Sequence, residues 1–79
     1  SADPEAVAQE RELASRLRDA LTRLPAREAS VFCLRFFDDL PYEQIARALG
    51  ITEGAAATAL HKARTRLEAI LLATIQEPK

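Results

Sequence analysis

This chain has almost none of the residues that staple or punctuate a fold. It carries one cysteine, Cys33, so no internal disulfide can form, and a lone thiol suits a reducing compartment. It has two glycines, no methionine, no tryptophan, three phenylalanines and one tyrosine. Long apolar stretches are missing as well. The longest is Ala69-Ile70-Leu71-Leu72-Ala73, far short of the ~20 residues a membrane-spanning helix needs. No secretory leader is visible, and residues 1–4 read as a disordered terminus or an expression remnant. A surplus of positive charge is also absent. The net charge is −1, which counts against a nucleic-acid partner, since such domains are usually basic. Nor is there a Ser/His/Asp set, a Gly-rich phosphate loop or a cluster of carboxylates. The expectation is therefore no enzyme, no catalytic residue, no metal and no cofactor.

What is present points to helices. Apolar residues make up 48% and charged residues 29% of 79 positions, the profile of one small, soluble, all-α domain expected in the cytoplasm. Leu13, Leu17, Leu21 and Leu24 recur every three or four residues, predicting an amphipathic helix from about Glu5 to Leu24. Pro25 is suited to the first position of the next helix, expected from Pro25 to Phe37. That segment carries Val31, Phe32, Leu34, Phe36 and Phe37 and is apolar on more than one side, so it should be the most buried element. Cys33 within it reads as a small buried hydrophobe, and Asp38-Asp39 as its stop. A short third helix begins at Leu40-Pro41 and runs to Leu49. The last helix should run from Glu53 to about Ile75, with Ala56, Leu60, Ala63, Leu67 and Ile70 inward. Leu71, Leu72 and Ile75 prolong that stripe, to pack on the first helix or to form a dimer seam. The expected architecture is a small domain of four to five helices over residues 5–76, part of a longer protein.

The informative stretch is Gln44 to Gly54. Two helices joined by a tight turn need a small residue where their axes approach, which Ala46 supplies. They need a glycine in the turn, met by Gly50, and an apolar plug after it, met by Ile51 as a buried hinge residue. Thr52 can cap the following helix, though no Glu or Gln at position 55 completes a capping box. Such a helix-turn-helix lays its second helix in the major groove, so the C-terminal helix is the expected recognition helix. Its residues on the DNA side are Thr52, Glu53, Ala57, Thr58, His61, Lys62 and Thr65, with Arg64 and Arg66 placed for the phosphate backbone. Charge distribution permits this. Gly54–Leu67 holds Lys62, Arg64 and Arg66 with no acid, and a local basic face binds phosphate even on a near-neutral domain.

These residues resemble a known family. Leu21–Phe37, with its Leu24-Pro25 and Leu34-Arg35-Phe36-Phe37, Tyr42–Ala46, Leu49–Gly54 and Leu60–Leu67 are together similar to region 4 of bacterial sigma-70 factors of the extracytoplasmic-function type. The likeness covers about Leu13 to Leu71. LuxR-type regulators share the middle motif but not the opening and closing segments together. The resemblance implies recognition of the promoter −35 element within RNA polymerase holoenzyme, attachment to the polymerase β-flap, and in many cases an anti-sigma partner. The isolated domain is expected to be a monomer or weak dimer. One departure matters. Where the family typically reads Gly-Thr-Val-Lys-Ser-Arg-Leu, this chain has Gly54-Ala55-Ala56-Ala57-Thr58-Ala59-Leu60. Ala57 and Ala59 replace two basic residues that in the family usually face DNA. The rival reading is accordingly a degenerate sigma domain that serves as a protein-interaction module.

Overall fold

The computed structural model describes residues 3–76, with backbone alone for 74–76. Four helices, with no strand among the described residues, make up the chain: α1 (Pro4–Leu21), α2 (Ala26–Phe36), α3 (Tyr42–Leu49) and α4 (Glu53–Gln76). The all-α helix-turn-helix expectation holds, and the differences are local.

Helix α1 begins one residue earlier than its periodicity suggests. Asp3 caps it, its Oδ1 accepting from the Glu5 N–H at 3.1 Å, and Pro4 takes a first-turn position whose missing N–H costs nothing. Asp3 and Pro4 are thus ordered by a cap, while Ser1 and Ala2 lie outside the described residues. The same helix stops at Leu21 rather than Leu24. Leu24 precedes Pro25, whose ring disfavours helical backbone at that position. The chain closes instead in a tight turn, with the Arg23 and Leu24 N–H groups returning to the Ala20 and Leu21 carbonyls at 3.0 and 3.2 Å. Leu24 then drops into the core beside Ala20, with Leu17 and Leu21 packed against them, but Leu13 is 61% exposed.

Both inter-helix prolines sit one place earlier than expected. Pro25 (ψ 147) and Pro41 (ψ 159) are N-caps with extended backbone, not first helical residues, and neither offers a side-chain acceptor. Helix α2 ends just ahead of Asp38-Asp39. Asp39 adopts φ 54, a left-handed conformation that Asp tolerates better than most residues, and the Leu40 N–H reaches back to the Leu34 carbonyl at 3.1 Å.

Helix α2 is the most enclosed element for its length, as expected, while the longer α4 gives the most residues to the core. Helix α4 supplies Ala56, Ala59, Leu60, Ala63 and Leu67 to the core, where Val31 and Phe32 of α2 and Ile45 of α3 meet them. Of the three α2 phenylalanines only Phe32 is buried. Phe36 and Phe37 are 57% and 58% exposed, at the last residue and the C-cap of α2, where the chain turns away toward Asp39. Cys33 is likewise half-buried rather than enclosed.

The turn between α3 and α4 is built as its residues require. Gly50 has φ 67, and the Gly50 and Ile51 N–H groups both donate to the Ala46 carbonyl, the second at 3.0 Å. A Cβ on Gly50 would meet nothing within 4 Å, so glycine is needed for its backbone angle and not for space. Ala46 is buried, and Ile51 packs on the core half-buried, its outer side left open by the turn. Thr52 Oγ1 accepts from the Ala55 N–H at 3.0 Å and caps α4.

Candidate nucleic-acid interface

Because α4 buries the stripe Ala56–Ala59–Leu60–Ala63–Leu67, its opposite side is fixed by helical geometry. Thr52, Glu53, Ala57, Thr58, His61, Lys62, Arg64, Thr65 and Arg66 are all exposed. The structure nonetheless divides these residues into separate groups.

Thr58 and Lys62 line one hollow of about 370 Å³ together with Gly54, Ala55 and Ala59 of α4 and with Arg27 and Glu28 from the first turn of α2. A second hollow, which shares Lys62 with the first, is lined by His61, Lys62, Thr65 and Arg66. Together these hollows gather the cations Arg27, Lys62 and Arg66 with the hydroxyls of Thr58 and Thr65 and the His61 imidazole. Thr52 takes part through its cap, which places the first turn of α4, and Glu53 contributes an acid at that helix start, where the helix dipole favours it.

Arg64 falls elsewhere. It lines a separate hollow with Arg35, Phe36 and Asp39 at the far end of α2, on the other side of α4 from Lys62. Arg66 is held by an acid: its Nε lies 2.8 Å from Oε1 of Glu28, whose side chain is only 10% exposed against 55% for Arg66. The N–H does not point squarely at that oxygen, which has no aligned donor, so the contact is a charge pair more than a directed hydrogen bond. Ala59 is buried. It packs against the core, so a basic residue at this point of the helix would be driven inward rather than toward DNA. Only Ala57, which is exposed, represents a missing outward charge.

Sequence reasoning missed Arg27 and Glu28. They lie far from the turn in the chain, and no spacing rule ties the first turn of α2 to the second turn of α4. A weak signal was available in the Arg27-Glu28 pair two residues after Pro25, at a helix start without a side-chain cap.

A different surface lies around the outer side of α2. Phe36 and Phe37 pack edge-on with ring centroids 6.5 Å apart, and Phe32 stacks on Phe36 at 4.7 Å. Ala29, Ser30, Cys33, Leu34 and Leu49 line a mostly apolar hollow of about 410 Å³ between α2 and α3. Among the described residues no group of His, Cys, Asp and Glu is arranged to hold a metal, and no helix is long and apolar enough to cross a membrane.

Comparison with known proteins agrees with this geometry. The family described as Sigma-70, region 4, matches residues 14–67, which takes in the end of α1, all of α2 and α3, the turn and the buried stripe of α4. The chain is 37% identical over 67 residues to proteins named ECF RNA polymerase sigma factor SigD from Mycobacterium bovis and Mycobacterium tuberculosis. That likeness covers 85% of this chain but 32% of each relative, so the chain spans about a third of the length of the curated relatives it matches.

Proposed function

From the premise that the chain belongs to the Sigma-70 region 4 family, we propose that it is the promoter-reading domain of a longer sigma factor, binding the −35 element as part of RNA polymerase holoenzyme. The observation that carries this reading is the strip formed by Arg27, Thr58, His61, Lys62 and Thr65 on the exposed side of a properly capped second helix. Arg27 and Lys62 suit phosphates on either side of the groove. Thr58 and His61, exposed on the same side of α4, suit base edges. With Gly54, Ala55 and Ala57 contributing no reach, direct base contacts fall to few side chains. Affinity of the domain alone is then low, and attachment to the polymerase raises it by effective concentration.

The exposed Phe36 and Phe37 and the apolar hollow beside Cys33 and Leu34 favour a second contact, with the polymerase β-flap or an anti-sigma factor competing for it. This complements DNA reading rather than replacing it. No chemical step is assigned to any residue: the domain acts by binding, in the cytoplasm with the polymerase.

Footprinting the full-length factor with core polymerase on a promoter it activates tests this reading. Protection over the −35 region that is lost in Lys62→Ala is expected, with the fold intact by circular dichroism. Unchanged protection and transcription in both Lys62→Ala and Arg27→Ala would overturn the assignment of this strip.

A further inference from the structure

Glu28 is an acid where a DNA-binding surface gains nothing from one. It is nine-tenths buried, lines the same hollow as Arg27, Thr58 and Lys62, and has Arg66 as its ion-pair partner. A buried pair of this kind is weak evidence for stability, since an apolar residue of similar volume usually packs as well without the desolvation cost. Its effect on the neighbouring surface is more definite. At 2.8 Å the carboxylate and guanidinium act as a dipole, whose field at a phosphate several ångströms further out nearly cancels. Arg66 borders the hollow shared with His61, Lys62 and Thr65, yet its charge is spent internally.

We infer that Glu28 is a brake on sequence-independent DNA binding: it neutralises Arg66 and lowers the positive potential under Arg27 and Lys62. Non-specific binding rests almost wholly on phosphate neutralisation. Base contacts by Thr58 and His61 do not depend on that charge. The acid therefore lowers affinity for any duplex while leaving discrimination between sequences in place, so that the domain engages DNA chiefly where the polymerase holds it. The inference rests on the DNA-facing reading of α4 and adds a specificity role for a residue of α2.

The test measures binding of the whole chain to a short B-form duplex of mixed sequence over a range of salt, with helicity and thermal melting recorded for each variant. Glu28→Gln releases Arg66 to act on phosphate, so the slope of log affinity against log salt steepens by about 0.9. Its advantage over the parent should shrink roughly threefold between low and physiological salt. The double variant E28Q/R66Q removes both brake and braked charge and should keep the parental slope, whether or not E28Q alone folds well. Lys62→Ala reports on the underlying reading and should make the slope shallower by about 0.9. A parental slope in Lys62→Ala overturns the DNA-facing assignment, and the brake with it. A normal response to Lys62→Ala overturns the brake alone if E28Q folds but binds no tighter. So does an E28Q/R66Q slope shallower by that same increment, because Arg66 would then be a phosphate contact already.

Discussion

The two sides of α4 are both rich in alanine, and the same residue type does opposite things on each. Ala56, Ala59 and Ala63 face inward and are buried, two of them completely. With no side chain beyond Cβ they let α2 and α3 come close, and Leu60 and Leu67 fill the space between. Ala57 faces outward beside Gly54 and the half-buried Ala55. There, on the proposed DNA-facing reading of α4, the same lack of reach removes contacts that a longer side chain could make. Smallness builds the scaffold on one side and thins the reading surface on the other. Enlarging a residue should therefore damage the first side and improve the second.

The comparison breaks most severely if the inner side does not carry the fold. Leu60→Ala should cost about 2–5 kcal/mol, since Leu60 is buried at the junction of three helices. In a domain of this size that removes most of the native population, read as loss of cooperative thermal melting. Ala63→Leu is the opposite insult at a fully buried position and should cost about 1–3 kcal/mol by overpacking, measured by urea denaturation. A variant as stable as the parent would mean the helices can move apart. Gly50→Ala tests the turn. Space is available there, so the cost should be only the left-handed backbone penalty of about 1–2 kcal/mol, and Gly50→Asn should recover part of it. The smallest effect on stability sharpens the contrast best. Ala57→Arg on the outer side should leave stability within about 0.5 kcal/mol while steepening the salt dependence of DNA binding by about 0.9. If Ala57→Arg destabilises the chain as Ala63→Leu does, the two sides are not distinct.

Legibility in the sequence followed the range of the interaction responsible. The turn was fully readable: Ala46, Gly50 and Thr52 act through bonds within five residues of themselves, and their spacing is the geometry. The inner stripe of α4 was readable because helical periodicity is local. Helix limits slipped by one to three residues at Pro25 and Pro41, where proline could equally have been cap or first helical residue and only its ψ angle decided. Leu13, Phe36 and Phe37 were misplaced for a different reason. Apolar periodicity says which side of a helix faces inward, but not how far the neighbouring helices extend along it. Ala59, where the resemblance puts a basic residue that usually faces DNA, is buried here, as its place three residues after Ala56 on the helix requires.

The sequence by itself determined that this chain is a small all-α domain of four to five helices around a helix-turn-helix, because caps, turn glycine and apolar spacing are written over a few consecutive residues. It also determined which side of α4 is exposed. Only the tertiary structure decided how the charges on that side are used. The approach of α2 to α4 set Arg27 beside Lys62, gave Arg66 to Glu28 and left Arg64 with Arg35 and Phe36 on another surface. Those pairings join residues roughly thirty to forty positions apart, and the path of the intervening helices, which brings them together, is a property of packing that no local pattern encodes.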